Sequence, residues 1–228
     1  MGLQIHADLV QGSDEWLAAR CGLLTASEMN LILTPTLKIA ANDKQRAHLY
    51  ELLAQRITRH VEPRYISDDM LRGHEDEILA LDLYEKHFAP VQRVGFVTND
   101  KWGFTLGYSP DALVDADGLV EVKSRRQKYQ VETFCVHVPG GTIPAEYVLQ
   151  IQTGLLVTGR KWCDLVSYSA GLPMARIRVL PDERVQSAIV GAAEQFETIL
   201  NANRRVYDAA IIGAPATERR AQEQEMVL

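Results

Sequence analysis

The segment Gly103–Ser124, "GFTLGYSPDALVDADGLVEVKS", constrains the fold more than any other part of the chain. Its apolar and β-branched residues are broken only by Ser-Pro-Asp and by Asp-Ala-Asp-Gly. The stretch reads as strands, with strand, turn, strand from Ser109 onwards. Asp115 and Asp117, beside Gly118, are ordinary turn acids. Asp111 and Glu121 differ, because each sits among apolar neighbours rather than at the turn.

Further strands are expected in "VQRVGFVTN", "WCDLVSYSAG" and "MARIRVLP". Short helices are expected after Ser13 and Thr25 as N-caps, and longer ones over Asn42–His60 and about Ser67–Phe88. An apolar-faced helix is expected over Ala145–Gly159, and an amphipathic one over about Asp182–Ala210. Helices, a strand meander, a crossover helix and more strands predict a mixed α/β fold with a central mixed β-sheet flanked by helices. No repeat or linker divides the 228 residues. A single domain over 1–228 is expected, with a core of about 11–210 and a polar tail at 211–228.

Several function classes drop out. Cys21, Cys135 and Cys163 are far apart with no CxxC pair, which argues against a disulfide framework, a zinc ribbon or an iron–sulfur cluster. No apolar run is long enough to span a membrane and the start does not read as a signal peptide, so a cytoplasmic protein is expected. The net charge of −6 disfavours a general nucleic-acid surface. Within it, Lys123, Arg125, Arg126 and Lys128 are clustered, either as phosphate contacts or as a solvated charge run.

Residues i and i+2 of a strand share a face, so Glu121 and Lys123 point the same way and Val122 the other. Asp111 can lie beside Glu121 across the strand pair. Two close carboxylates need a proton or a cation between them, and a hard divalent ion suits oxygen donors, with the Val122 carbonyl as a further ligand. Lys123 then orients water or stabilises charge on a phosphate. The plainer alternative is a surface Glu–Lys pair and a turn aspartate. Glu77 falls on the stripe of Met70, Gly73, Leu81, Tyr84 and Phe88, where a carboxylate needs a partner unless its head group reaches water. Gln152 shares a helical face with Val148, Leu155 and Leu156, where a satisfied core glutamine is the alternative.

The order Glu77, Ser109-Pro-Asp111, Glu121-Val-Lys123, Gln150-Ile-Gln152 resembles the PD-(D/E)xK nuclease superfamily. More closely, it resembles the lambda exonuclease and YqaJ-type viral recombinase family. "QGSDEWLAARCGLLTASEMNLIL" is similar to that family's opening motif, and the resemblance runs from about Gln11 to Arg178. It implies a restriction-endonuclease-like core in which Asp111, Glu121, the Val122 carbonyl and Glu77 hold metal. Lys123 is the implied catalytic lysine, and Gln152 is placed near the scissile phosphate. Arg20, Ser27 and Ser109 would cradle a 5′-terminal phosphate, a task that suits an arginine fork with hydroxyl donors. Asp100 is the nearest match to an aspartate on the preceding strand, one residue out of spacing. Arg125, Arg126 and Lys128 are the local choice for other DNA contacts.

The implied activity is Mg²⁺-dependent (Mn²⁺ substituting), with two ions per site. It is 5′-to-3′ digestion of linear double-stranded DNA to mononucleotides, leaving 3′ single strands for phage-type recombination by single-strand annealing. A ring-shaped homotrimer, an annealing partner protein and a phage or prophage origin in a bacterial host come with it. A restriction-like or nicking endonuclease of the same superfamily is the alternative. A non-catalytic assembly protein is disfavoured, because Asp111, Glu121 and Lys123 are all present.

Overall fold

The computed structural model describes residues 2–63 and 67–219, so the last nine residues of the polar tail lie outside the described residues. The first strands and helices are β1 (Leu3–His6), α1 (Asp14–Arg20), β2 (Leu24–Thr25), α2 (Met29–Ile32), α3 (Asp43–Thr58) and α4 (Asp68–His87). Then come β3 (Phe96–Asn99), β4 (Leu106–Tyr108), β5 (Ala112–Val114) and β6 (Gly118–Ser124). The chain continues through α5 (Gln127–Glu132), a π-helical turn, α6 (Val138–Gly140), α7 (Ala145–Thr158), β7 (Trp162–Tyr168), β8 (Ala175–Val179) and α8 (Glu183–Ala210).

The strands form two four-stranded sheets, ordered β1-β3-β4-β2 and β5-β6-β7-β8, each with one parallel pair among antiparallel ones. The mixed pairing matches the expectation from sequence, and the division into two sheets refines it. The chain passes from one to the other at Ser109-Pro110-Asp111, where Pro110 has no N–H to give to a ladder. β1, β2 and the short helical stretch between β6 and α7 (α5, the π-helical turn and α6) were not expected. β1 and β2 are too short, at four and two residues, to show a period.

Caps explain where the helices start. The Ser13 hydroxyl accepts the Trp16 N–H, and Ser67 accepts that of Met70. Thr25 stands at a cap position, but its hydroxyl donates to Glu28 instead of serving the backbone. At the β5–β6 turn, Asp115 adopts a left-handed φ of 45° and the Arg160 guanidinium gathers the carbonyls of Val114, Asp115 and Gly118. Gly118 is required there, because a Cβ would lie 2.2 Å from the Trp162 ring.

The main core packs α2, α3, α7 and α8 against the strands through residues such as Leu24, Leu52, Leu106, Ile151 and Phe196. A second cluster seats Leu81 and Tyr84 of α4 on Val120, Val122 and Val166. Met70 and Phe88, expected on the same stripe, are exposed at its two ends.

Two ion pairs tie the layers together. Fully buried Asp164 receives Arg178 through Nε at 2.8 Å and Nη2 at 2.9 Å, and the Tyr84 hydroxyl at 2.7 Å. Arg56 of α3 clamps Glu197 of α8 with bonds of 2.7 and 2.6 Å and gives Nε to the Gly22 carbonyl. Removing one partner of a largely buried pair leaves the other charge uncompensated. Glu197→Ala is therefore expected to cost about 3 kcal/mol. A thermal melt should show this as a Tm lower by roughly 6–12 °C for a chain of this size.

Candidate active site

β6 supplies the centre. Ala112 pairs with Val120, which brings Asp111, one residue before its strand, level with Glu121. Asp111 is fixed by accepting the Val122 N–H on Oδ2. Glu121 is 2 % exposed, and both of its oxygens are engaged. Oε2 accepts the Tyr108 hydroxyl at 2.7 Å, while Oε1 accepts Lys123 Nζ at 2.8 Å and the Gln150 amide. Lys123 Nζ also donates to Gln150 Oε1 at 3.0 Å and lies 5.3 Å from the centroid of the Tyr147 ring.

Glu77 of α4 lines the same cleft, half-buried, so the structure gathers Glu77, Asp111, Glu121, Val122 and Lys123 around one space. Burial, followed by the charges of Glu121 and Glu77, pushes the Asp111 carboxyl well above the ordinary range. Burial also raises Glu77, with Glu121 adding to the shift and His74, Arg93 and Lys123 opposing it. Burial alone would depress the Lys123 ammonium, but the charges of Glu121 and Asp111 outweigh it and hold the group above the usual lysine range. With its carboxylate neighbours charged, Lys123 is thus favoured as an ammonium donor.

Among the described residues, no three His, Cys, Asp or Glu side chains converge as a ready chelate. The donor chemistry nevertheless fits a hard divalent cation, since three carboxylates and the Val122 carbonyl are all oxygen donors. Such a cation would offset both the burial that chiefly raises Asp111 and Glu77 and the repulsion from Glu121 that adds to it. Coordination by Glu121 would replace part of its present hydrogen bonding.

A pH dependence follows. Carboxyls with raised folded values hold more protons folded than unfolded, so stability without cation falls as pH rises from the ordinary carboxylate range through the raised values. A cation competes with those protons. Mg²⁺ is expected to raise the Tm clearly at about pH 8.5 and little at about pH 5. Equal shifts at both values would contradict this.

At the other end of the cleft, Arg20 of α1 donates Nη1 to Ser109 Oγ and Nη2 to Thr25 Oγ1, both at 3.1 Å. Its guanidinium stacks 4.3 Å from the Trp16 ring centroid. The single Trp16 Nε1–H is shared between the Gly95 carbonyl and Ser109 Oγ, each at 3.0 Å, so Ser109 Oγ accepts from both Arg20 and Trp16 and its own proton can go to a further acceptor. Exposed Ser27 stands 3.3 Å from Thr25 Oγ1. Arg20, Ser27 and Ser109 line the same space of about 460 Å³ as Asp111, Glu121 and Lys123.

Two expectations, Gln152 and Arg125, are corrected, and Asp100, matched only out of spacing, falls outside the cleft. Gln152 is not in the cleft; it is a core glutamine, with Nε2 donating to the Leu180 carbonyl at 2.8 Å and Oε1 accepting the Asp182 N–H at 2.9 Å. Gln150 takes its place, because residues two apart on a helix point about 200° apart. Asp100 lies past the far end of the β3–β4 pair from Ser109, and its Oδ1 accepts the Gly2 N–H. Arg125 is not an open phosphate contact. Sharing the strand face of Glu121 and Lys123, it runs beneath α7, where its Nη1 meets Glu146 at 2.7 Å and the Tyr147 hydroxyl at 2.6 Å. Arg126 pairs with Asp69, and Lys128 stands 4.6 Å from the Tyr129 ring centroid. Arg125 and Arg126 line an adjoining cleft of about 560 Å³ that meets the first at Ser124.

Tyr108, Trp16 and Thr25 do not stand out as site residues in the sequence. Tyr108 reads there as one more apolar strand residue, and only its hydroxyl on Glu121 marks it out.

The strand arrangement and the carboxylate–lysine cleft together define a restriction-endonuclease-like protein. The chain belongs to the YqaJ-like viral recombinase domain family, which matches residues 15–161. It is similar to the alkaline exonuclease LHK-Exo from Laribacter hongkongensis at 29% identity and a TM-score of 0.76, covering 89% of this chain and 100% of that one. LHK-Exo in complex with dAMP matches at 30% identity, with the same TM-score of 0.76 and the same coverage of 89% and 100%. A phage-related exonuclease from Haemophilus somnus 129PT shares the fold at 11% identity and a TM-score of 0.56, over 79% of this chain and 96% of that one. Among curated proteins none matches this sequence. Among the described residues no helix is long and apolar enough to cross a membrane.

Proposed function

We propose that the chain is a DNA exonuclease of phage-type recombination. In this reading it digests the 5′ strand of linear duplexes to mononucleotides and leaves 3′ single strands for annealing. The observation that carries the reading is the shared cleft, in which the Arg20–Ser27–Ser109 donors and the Asp111–Glu121–Lys123 centre line one space. Donors that hold a terminal phosphate beside a hydrolytic centre select the first phosphodiester from the end. LHK-Exo, a relative, binds dAMP, which is a 5′-mononucleotide of the product class this reading requires.

Asp111, Glu121, Glu77 and the Val122 carbonyl would hold Mg²⁺ or Mn²⁺. When bound, two such ions supply an acidified water and neutralise charge at the phosphate and the departing oxygen. Lys123 Nζ, held on Glu121 and Gln150, would offer a donor to a phosphoryl oxygen or to the attacking water. Gln150 holds that ammonium in place, and Tyr108 fixes the plane of the Glu121 carboxylate. Family membership supports a ring homotrimer around DNA and a single-strand annealing partner.

The test uses a linear duplex with 5′-phosphate, the same duplex with 5′-hydroxyl and a closed circle, each with and without Mg²⁺. Rapid release of mononucleotides from the phosphorylated linear duplex alone, only with Mg²⁺, is expected. Cutting of the circle would point to an endonuclease. Equal rates at both ends would remove the proposed role of Arg20, Ser27 and Ser109.

A further inference from the structure

We infer that Glu28 is a positioning residue for end recognition, acting through Thr25 to preset the donors that select a 5′-terminal phosphate. The inference rests on the phosphate cradle proposed above. An acid beside an anion site repels the ligand, so its presence there calls for a compensating role. The hydrogen bonds supply one.

Thr25 is buried, and its hydroxyl has one proton to place. Glu28 Oε2, at 2.8 Å, takes that proton, since an ionised carboxylate only accepts. The Thr25 lone pairs are thereby turned towards donors, and Arg20 Nη2 uses one at 3.1 Å. With the Thr25 proton committed, Ser27 Oγ at 3.3 Å can meet that oxygen only as a donor and offers no competing acceptor to Arg20. Arg20 is thus held between Thr25 and Ser109, with its face against Trp16.

A buried histidine stands behind Glu28. His48 of α3 is almost fully buried, with Nε2 3.9 Å from Glu28 Oε2 and Nδ1 3.2 Å from Glu51 Oε2. Among the described residues His48 Nε2 has no hydrogen-bond partner of its own, so the Glu28 carboxylate is the charged group it faces. The ring stacks on Phe196 of α8, with centroids 5.8 Å apart.

The experiment measures kcat/KM on matched linear duplexes with 5′-phosphate and 5′-hydroxyl ends. It compares the wild-type protein with Glu28→Ala, Glu28→Gln and Thr25→Val. Glu28→Ala and Thr25→Val are expected to lower kcat/KM at phosphorylated ends about tenfold, the size of one lost charge-assisted hydrogen bond. At hydroxyl ends the change should stay within about twofold, so the preference collapses. Glu28→Gln keeps an acceptor oxygen and should remain within about threefold of wild type.

An equal fall at both ends would reveal a merely structural residue, and an unchanged preference would remove the coupling through Thr25. A preference that rises on removing Glu28 would show simple charge repulsion and would also overturn the inference. Should Glu28→Ala fail to fold, Thr25→Val separates the same outcomes. Equal wild-type rates at both ends would instead remove the underlying cradle.

Discussion

Glu121→Gln is expected to abolish digestion of linear DNA, with kcat lowered at least about a thousandfold and the fold retained. Glu121 is the hub of the centre, where the Tyr108 hydroxyl, Lys123 Nζ and the Gln150 amide all converge. The amide keeps the shape and one acceptor but removes the negative charge a divalent cation needs. It also leaves Lys123 with a weaker reason to stay in place. Alanine is the poorer test, because it strands the buried Tyr108 hydroxyl and a charged ammonium together, which costs stability as well as activity. Mg²⁺-dependent product release, beside a melt of the same sample, separates the two effects. If Glu121→Gln digested DNA at the wild-type rate, the proposed centre would be wrong.

Arg20→Ala is expected to reduce kcat/KM at 5′-phosphorylated ends about a hundredfold, with a much smaller effect at 5′-hydroxyl ends. Its guanidinium is already aligned by Ser109 Oγ, Thr25 Oγ1 and the Trp16 face, so little ordering remains when a phosphate arrives. Lysine is not an adequate substitute, because one ammonium cannot bridge both hydroxyls in a planar fork. Arg20→Lys should therefore lie much closer to alanine than to wild type. Loss of rate equally at both ends would place Arg20 in folding or general DNA binding instead.

The candidate centre was legible where local geometry alone decides position. Glu121 and Lys123 share a strand face by alternation, and Asp111 follows from the tight Asp-Ala-Asp-Gly turn that sets the β5–β6 register. The ends of α3, α4, α7 and α8 were legible for a similar reason, since caps and apolar spacing act within a few residues. Gln152 misled because a motif supplies the order of residues but not the rotation of a helix about its axis. That rotation is set by packing of α7 between β4 and α8, and it delivers Gln150 to Glu121.

The same distinction holds across the molecule. The sequence by itself determined the helices, the strand meander, the carboxylate–lysine pattern and the family resemblance, because each rests on periodicity, turn chemistry or ordered motifs. Only the tertiary structure decided that the strands split into two sheets at Pro110, that Arg125 is spent beneath α7 and that Tyr108 and Gln150 hold Glu121. It alone placed the Arg20 donors in the cleft of the carboxylates. These contacts join residues as many as 89 positions apart, as for Arg20 and Ser109. Their partners are selected by how whole layers pack, which no local run of residues encodes.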